Sequence, residues 1–341
     1  MKKKSSLARR MARKLAWTTG AVLAVKVASD AVNRIEFRDK VILITGGSRG
    51  LGLILARKLC EEGGKVVICS QSEETLQQAS GELSTGYGEH LAILCDITDK
   101  RQVKDMIRKI RERWGRVDIL INNAGIIQTG PMESMKEEDY ESAMKVHFWG
   151  PFHAINEVLP DMMKNHAGRI VNIISIGGKV SFPHLLPYNT SKYAMSGYSE
   201  GLAAELKKYN IKVTTVYPGL MRTGSPRHID VKGRPEKEYA WFKVLDSLPV
   251  LSLDADRAAR KIIEALRRGS RTLTLTIPAK LAIAVHGIAP GLTITFFDLV
   301  NFVLPGMDGG ETKKGYESES EVSSSFMTKK TDEAAKQNLQ K

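Results

Sequence analysis

The sequence has few cysteines, no cluster of metal-ligating residues and no uninterrupted apolar run long enough to span a membrane. Its 341 residues include three cysteines, Cys60, Cys69 and Cys95. An odd and sparse set of cysteines excludes a disulfide scaffold and suits a reducing compartment. Because no Cys-x-x-Cys pair or His/Cys cluster occurs, we expect no metal site.

Positive charge is concentrated near the N-terminus. The net charge is +13, and residues 1–40 hold eleven Lys or Arg against three Asp or Glu, which leaves +5 (13 − 8) for the remaining 301 residues. The body of the chain is therefore nearly balanced. It contains no basic stripe interleaved with aromatic residues, so we expect no nucleic-acid partner.

Residues 1–37 are predicted to form a basic, moderately apolar helix. Seven positive charges within residues 2–14 precede an uncharged run of eleven residues, Leu15 to Val25. Spanning a bilayer takes roughly 20 apolar residues, so this run favours a helix lying on the membrane interface. A cleaved signal peptide and a solvated helix are the alternatives. If the run did span a membrane, its positive flank would stay in the cytoplasm and the body would be exported. Three unpaired cysteines disfavour export, so we expect the protein on the cytoplasmic face of the membrane.

A second apolar stretch lies near the C-terminus, in a predicted helical segment over residues 279–305. The run from Leu281 to Phe297 is broken in its middle by Pro290 and Gly291. It indicates two short helices that lie on a membrane interface, cap a substrate cavity or pack on the core. Residues 306–341 are polar and rich in Ser, Lys and Glu, and we expect them to be mostly disordered.

Apolar runs typical of buried parallel strands alternate with helical patterns through the body of the chain. The predicted strands are 41–45, 66–70, 91–95, 117–122, 169–174, 211–217 and 271–277. The predicted helices are 50–62, 73–83, 100–114, 137–164, 188–208 and 255–268. This alternation predicts an α/β fold, with a Rossmann-like, doubly wound, seven-stranded parallel sheet in a single domain over residues 38–278.

A glycine-rich turn follows the first predicted strand and opens the first helix. It reads Thr45-Gly46-Gly47-Ser48-Arg49-Gly50-Leu51-Gly52. Glycines at these positions allow a tight turn, a close approach of the backbone to a pyrophosphate and close packing of the helix on the sheet. The positive end of the helix then faces the phosphates. The turn predicts a dinucleotide-binding site.

The end of the second strand indicates which dinucleotide is bound. A site for NAD usually has an acid there to hold the ribose 2′-hydroxyl, but this strand ends Cys69-Ser70-Gln71. Arg49 is placed to pair with a 2′-phosphate, and Ser70 and Gln71 to donate hydrogen bonds. NADP(H) is therefore favoured over NAD(H). Asp96, followed by Ile97, is placed to accept from the adenine amino group or, alternatively, to cap its own loop.

Three residues form a candidate catalytic set. Tyr188 and Lys192 lie four residues apart near the start of a helix and so share one face. A nearby ammonium favours the phenolate and lowers the tyrosine pKa, which suits acid–base catalysis. Lys192 is also placed to bind the nicotinamide ribose. Ser175 follows the fifth strand, at the sheet edge where ligands bind, and is placed to donate to a substrate carbonyl.

In these motifs the chain resembles the classical short-chain dehydrogenase/reductases (SDR). The glycine turn, Ser175, Tyr188 and Lys192 match that family's signature, and residues 122–125 match its Asn-Asn-Ala-Gly segment. The resemblance covers residues 38–278. It implies that Asn123, Ala124 and Gly125 lie beside the cofactor and that Pro218, Gly219 and Thr223 position the nicotinamide. It also implies a homodimer or homotetramer that assembles through the Tyr188 helix.

One position departs from the family pattern. The family usually has a fourth catalytic residue, an asparagine that holds a water in the proton relay, and His147 stands at the matching position. An imidazole there is placed to hold the water or to shuttle protons itself, since its pKa lies near neutrality. A weakened relay is the alternative.

The substrate side of the site is predicted to be apolar. Residues 224–253 lack a strand–helix rhythm and are interpreted as a substrate lid, and residues 180–186 add apolar side chains near Tyr188. The sequence thus predicts an NADP(H)-dependent oxidoreductase that acts on a lipophilic carbonyl or alcohol at a membrane. A catalytically weak NADP(H)-binding sensor or membrane-associated scaffold is the alternative, and epimerisation of a sugar nucleotide is disfavoured.

Overall fold

The computed structural model describes residues 33–85, 88–248, 252–307, 311–324 and 328–340. The helix predicted over residues 1–37 therefore lies outside the described residues, apart from its last five positions. Within those five, Phe37 is fully buried, and the guanidinium of Arg267 lies 4.6 Å from the centre of its ring.

Seven parallel strands form the central sheet, as predicted. In chain order they are β1 (Val41–Thr45), β2 (Lys65–Ser70), β3 (His90–Leu94), β4 (Ile119–Asn122), β5 (Gly168–Ile173), β6 (Ile211–Tyr217) and β7 (Thr272–Thr274). Their spatial order is β7-β6-β5-β4-β1-β2-β3. The order reverses at β1, where β1 pairs with β2 on one side and β4 on the other. Ligands bind at such a switch point in open α/β sheets.

Helices cover both faces of the sheet. The first eight are α1 (Gly50–Glu61), α2 (Glu73–Ser84), α3 (Lys100–Trp114), α4 (Glu137–Met144), α5 (Gly150–Lys164), α6 (Leu186–Glu205), α7 (Pro235–Ser247) and α8 (Ala255–Arg268). Successive strand side chains point to opposite faces. Ile42 and Ile44 of β1 thus join one core cluster with α1 and α8, and Leu43 joins the other with α3, α5 and α6. The doubly wound fold is confirmed.

The helix predicted over residues 137–164 is interrupted. A π-helical segment, Lys145–Trp149, separates α4 from α5 and contains the buried His147. Such insertions are uncommon and occur frequently at functional sites. The apolar spacing of residues 137–164 is that of a continuous helix and does not predict the wider π-helical turn.

The predicted lid contains a helix. Between Thr223 and Asp254 the structure forms a 3₁₀ turn, Ser225–His228, and the 13-residue α7. One buried ion pair and one buried hydrogen bond hold this region to the rest of the fold. Lys232 Nζ lies 2.6 Å from Asp139 Oδ2 at the start of α4, and His184 Nδ1 lies 2.8 Å from Glu238 Oε1. The lid is therefore fixed on the domain at its base.

Two further helices follow the sheet, α9 (Ile277–Ile288) and α10 (Pro290–Asn301). They bend by 119° at the break that Pro290 and Gly291 make. No single described helix is long and apolar enough to cross a membrane, although this bent pair passes that test of length and composition together. Their side chains are mostly exposed, and α10 has no buried residue. On its inner side the pair lies against the domain, where Ala279 is buried and Ile283 packs on a core cluster.

The described parts of the tail, residues 306–307, 311–324 and 328–340, are more ordered than expected. Lys313–Lys314 pair antiparallel with Asp230–Val231, and α11 (Lys329–Gln337) packs on the lid. The expectation of disorder rested on polar composition. The polar side chains instead find buried partners: Lys243 Nζ lies 2.8 Å from Asp332 Oδ1, and Ser247 Oγ lies 2.7 Å from Thr331 Oγ1.

Candidate active site

One cavity of about 850 Å³ lies at the carboxyl edge of the sheet. That volume is near the upper end of the roughly 300–1,000 Å³ usual for ligand sites. All of the predicted site residues line it except Thr45 and Gly52, which shape its floor. Those in the wall are Gly46, Ser48, Arg49, Gly50, Leu51, Ser70, Gln71, Asp96, Ile97, Asn123, Ala124, Gly125, His147, Ser175, Tyr188, Lys192, Pro218, Gly219 and Thr223.

The glycine-rich turn requires its glycines at two positions. Gly46 has φ +63°, and a Cβ there would lie 2.8 Å from the Ala124 Cα atom. A Cβ on Gly52 would lie 2.2 Å from the Gly46 carbonyl oxygen. The side chain of Arg49, at the N-cap of α1, makes no capping bond. The turn thus leaves backbone N–H donors at the first turn of a helix, where anions bind.

The predicted Asn-Asn-Ala-Gly segment braces this turn. Thr45 Oγ1 accepts hydrogen bonds from the backbone N–H groups of Asn123 (3.0 Å) and Ala124 (3.2 Å). The Asn123 side-chain amide donates to the carbonyl oxygens of Thr45 (3.1 Å) and Gly46 (3.0 Å). These four bonds fix the end of β4 against the end of β1 and account for Thr45 lying beneath the cavity.

The C-terminal segment reaches the same turn. The Gly50 N–H donates to the Asn338 carbonyl oxygen at 2.8 Å, and Gln340 lines the cavity. Arg57 of α1 donates to the Gln337 carbonyl oxygen at 3.1 Å. No local pattern predicts this contact, since about 290 residues separate its two ends and the tail is polar.

Arg49 lines the same cavity as Ser70, Gln71 and Ser72, and its side chain makes no hydrogen bond or ion pair with the described residues. Partial burial lowers the pKa of its guanidinium from the ordinary value. A guanidinium that is removed from water and unpaired is suited to bind an anionic group.

Asp96 caps its own loop and also lines the cavity. Its Oδ1 atom accepts hydrogen bonds from the Thr98 N–H (2.9 Å) and the Thr98 hydroxyl (2.8 Å). The loop-capping alternative is therefore realised, and the side chain still lines the cavity where an adenine is expected.

Ser175, Tyr188 and Lys192 lie together, as their spacing predicts. Ser175 Oγ accepts from the Gly177 N–H at 3.0 Å, and Ser175 acts on the nearby Tyr188 phenol to lower its pKa. Lys192 Nζ lies 5.6 Å from the centre of the Tyr188 ring and donates to the Ile173 carbonyl oxygen at 3.2 Å. The three polar groups thus face one point of the cavity.

The pKa values in this set differ from the expectation of an acidic phenol. Burial raises the pKa of Tyr188 to about 12, although the nearby Ser175 opposes this. Burial also lowers the pKa of Lys192 to about 7. Near neutral pH the lysine therefore carries only part of its charge. It then offsets less of the cost of a phenolate than a fully charged ammonium would.

His147 has no ring nitrogen free for a proton relay. Its Nε2 atom accepts the Ile126 N–H at 3.1 Å, so the ring proton lies on Nδ1, which is 2.8 Å from Ser191 Oγ. Burial and the nearby Lys192 charge hold the pKa of His147 well below its ordinary value. The imidazole is therefore neutral, and both of its nitrogens are engaged. This differs from the prediction that His147 holds the relay water or shuttles protons. The imidazole packs edge-on against the Tyr188 ring.

The remaining wall is mainly apolar and includes the predicted residues Phe182, Pro183 and Leu185. Lid side chains Trp241, Phe242 and Leu245 close one side. Helix α10 closes another, and its Phe297 ring lies 5.1 Å from that of Phe182. The sequence interpretation did not include two polar wall residues, Asp246 and Gln340. No group of three or more His, Cys, Asp or Glu able to hold a metal occurs within the residues that the structure covers.

The doubly wound sheet, its phosphate-binding turn and the Tyr–Lys pair at the switch point define a nicotinamide-dependent oxidoreductase. The family model for short chain dehydrogenases matches residues 40–232. The chain belongs to that family.

Curated relatives and solved structures agree with this assignment. The chain is 38% identical to the 3-ketodihydrosphingosine reductase of Bacteroides thetaiotaomicron over 55% of its length and 66% of the relative. It is 30% identical to the fatty acyl-CoA reductase of Acinetobacter baylyi over 77% of its length and 84% of the relative. The gluconate 5-dehydrogenase of Burkholderia cenocepacia, solved with NADP and tartrate, superimposes with a TM-score of 0.63 at 26% identity, covering 74% of this chain and 99% of that one.

Proposed function

We propose that the protein is an NADP(H)-dependent reductase of long-chain, lipophilic carbonyl compounds. The proposal rests on one observation: Ser175, Tyr188 and Lys192 converge in a cavity that has a phosphate-binding turn at one end and an apolar wall at the other. The unpaired Arg49 and the absence of an acid after β2 favour a 2′-phosphate. The bound coenzyme supplies the hydride.

The chain's own residues supply binding and proton transfer. Ser175 Oγ is held by the Gly177 N–H, and its hydroxyl would donate to the substrate oxygen once a substrate lies between Ser175 and Tyr188. Tyr188 is protonated at neutral pH, because its pKa is about 12, and so acts as the proton donor in the reducing direction. Lys192 lies close enough to the phenol to stabilise it after proton transfer.

The apolar outer surface of α9 and α10 supports a site at a membrane surface. Side chains on this bent pair are largely exposed, among them Ile277 (81%), Ile288 (86%) and Leu292 (69%). The inner side of α10 lines the cavity through Phe296, Phe297 and Val300. A lipid substrate would thus pass from bilayer to cavity along one apolar element. The proposed location is the cytoplasmic face of a membrane.

Exposed aromatic side chains support the proposed homo-oligomer. Trp149 and Tyr193 are 45% and 39% exposed, at the start of α5 and on α6. Phe148, Phe152 and Tyr198 form a ring cluster beside Trp149, in which the two phenylalanine rings are stacked. A second copy that covered this patch would bury aromatic area of the kind that stabilises interfaces. Sedimentation of the wild type and of Trp149→Glu would compare their assembly.

A substrate panel tests the reductase proposal. Long-chain ketones, ketoacyl thioesters and short polar ketones would each be mixed with NADPH or NADH, and oxidation of the coenzyme followed by absorbance. We expect turnover with NADPH and the long apolar compounds. Activity confined to the short polar ketones would contradict the apolar substrate class, and no turnover with any compound would contradict the reductase assignment.

A catalytically weak coenzyme sensor remains a second candidate, and the bonding of His147 favours it. Both ring nitrogens are engaged, so the relay position lacks a group that holds water. His147→Asn separates the two functions. A large gain in rate would indicate a reductase with a weakened relay, whereas no rate in either form, with coenzyme binding retained, would support the sensor.

A further inference from the structure

Asp246 is a buried acid in the apolar part of the cavity wall. It lies near the end of α7 with 3% of its surface exposed, and it lines the cavity beside Trp241, Phe242 and Leu245. Acidic side chains are almost never fully buried unless they are paired. The residue therefore requires an explanation that apolar packing does not provide.

The fold leaves one of its carboxyl oxygens without a partner. Oδ2 is buried and has no hydrogen-bond partner among the described residues. Arg222 is the nearby opposite charge, but its guanidinium already donates to the Ser252 carbonyl oxygen (2.9 Å) and hydroxyl (2.7 Å). Burial raises the pKa of Asp246 to about 8, although the Met221 backbone and Arg222 oppose this. No basic side chain among the described residues thus forms an ion pair with the ionised carboxyl.

A cationic donor in the cavity would satisfy the carboxyl fully. An unpaired buried acceptor costs free energy, and a charged buried group costs more unless it is paired. An ammonium provides both the missing hydrogen bond and the missing charge. A neutral hydroxyl provides only the hydrogen bond. The same wall offers the rest of such a ligand an apolar surface.

We propose that Asp246 binds a protonated amine on the substrate, so that the preferred substrate is a long-chain carbonyl compound that also bears an ammonium group. This inference rests on the proposed function, since it assigns the substrate class of the same site. Asp246 is here a specificity-determining residue that faces one end of the ligand while Tyr188 and Ser175 face the carbonyl.

Binding measured by calorimetry tests the amine site without any turnover. Dodecylammonium and dodecanol, below their aggregation limits, would be titrated into the full chain and into Asp246→Asn. We expect the substitution to weaken the amine about 10- to 100-fold, as loss of a charge-assisted hydrogen bond does, and to leave dodecanol nearly unchanged. Asp298→Asn, which removes an exposed acid from α10, is the matched control and should change neither.

Repeating the titration in two buffers of different ionisation enthalpy measures how many protons are released when the amine binds. Asp246 is mostly protonated at pH 7 and ionises when an ammonium binds, so we expect nearly one proton released per amine bound. Among the described residues, the groups whose charges act on Asp246 are Arg222, on the short strand Leu220–Arg222, and Tyr239 of α7. Equal amine affinity in wild type and Asp246→Asn, without proton release, would overturn the proposal.

Turnover then separates this inference from the reductase proposal. Two ketones of equal chain length, one with an amino group and one without, would be compared in kcat/KM with NADPH. We expect the amino ketone to be preferred by the wild type and the preference to vanish in Asp246→Asn. Equal use of both ketones by the wild type would refute the role of Asp246 and leave the reductase intact. Failure of both ketones, with Asp246-dependent amine binding retained, would count against the reductase alone.

Discussion

His147 Nδ1 donates a hydrogen bond to Ser191 Oγ at 2.8 Å, and the Ser191 hydroxyl in turn donates to the Tyr188 carbonyl oxygen at 2.8 Å. On its other side the imidazole accepts the Ile126 N–H. This chain connects the backbone after β4 with the first turn of α6. His147, which stands where the family has a relay residue, thus acts here as a positioning residue for Tyr188.

Ser191→Ala should remove the acceptor that the buried His147 Nδ1–H uses. We expect a loss of about 1–3 kcal/mol in the free energy of unfolding, the usual effect of leaving a buried donor unsatisfied. Because His147 stays neutral, the substitution should add no new limb to the pH–rate profile between pH 5.5 and 7.5. Denaturant unfolding and rate profiles provide the measurements. Ser191→Thr, which retains the hydroxyl, is the control, and unchanged stability in Ser191→Ala would contradict the chain.

Tyr188→Phe removes the proton donor without changing the shape of the ring. We expect the rate of ketone reduction to fall about 10²- to 10⁴-fold, the range that general acid catalysis provides. The affinity for NADPH, followed by fluorescence of the bound coenzyme, should change little. Undiminished turnover in this variant would mean that another group delivers the proton.

Lys192→Met should inactivate the enzyme and stabilise its fold at neutral pH. The folded pKa is about 7 against an ordinary 10.5. The unfolded chain therefore binds a proton that the folded chain releases between these values, and the free energy of unfolding of the wild type rises with pH across that window. We expect the variant to be more stable by about 1–4 kcal/mol at pH 7, and the difference to shrink toward pH 9.

Chemical unfolding of both forms at several pH values checks this prediction. Lys207→Met, on the exposed surface, is the matched control and should show no such pH dependence. A variant that is less stable than the wild type at pH 7 would show that the hydrogen bond to the Ile173 carbonyl oxygen outweighs the desolvation of the ammonium.

Arg49→Ala should shift the choice of coenzyme. Loss of a charge-assisted contact to a 2′-phosphate would weaken NADPH about 10- to 100-fold and leave NADH nearly unchanged. Dissociation constants for both coenzymes measure the effect. Arg101→Ala, at an exposed position on α3, controls for the general loss of one positive charge. An equal loss for both coenzymes would assign Arg49 to the pyrophosphate or to folding instead.

Deleting residues 338–341 should strengthen coenzyme binding. The Asn338 carbonyl oxygen accepts the Gly50 N–H, a donor of the turn that faces the phosphates, and so competes with them. Release of one such bond corresponds to about a fivefold decrease in the NADPH dissociation constant. Gln340→Ala, which keeps the backbone contact, should have a smaller effect. Weaker binding after the deletion would show that the segment forms part of the coenzyme site.

Local patterns were sufficient to predict the sheet and most of the site. The continuous apolar runs specify strands buried on both faces, and the residues that follow β1, β4 and β5 necessarily meet at one edge. Tyr188 and Lys192 share a face because of helical periodicity alone. The positions of these residues in space follow directly from their spacing in the sequence.

Features set by distant contacts were not predictable from the sequence. The state of His147 depends on Ile126 and Ser191, which its neighbours in sequence do not reveal. The order of the tail depends on Lys243 and Ser247, which provide buried partners for Asp332 and Thr331. Asp246 appears in the sequence as an ordinary helical acid, and only the packing of α7 places its carboxyl in an apolar wall.

The bond between Gly50 and Asn338 joins two segments that are about 290 residues apart in the sequence. A phosphate bound at the glycine-rich turn would take over the Gly50 N–H and release the segment that follows α11. A fluorophore attached to the C-terminal turn of α11 would then report the arrival of the coenzyme as a change in its emission.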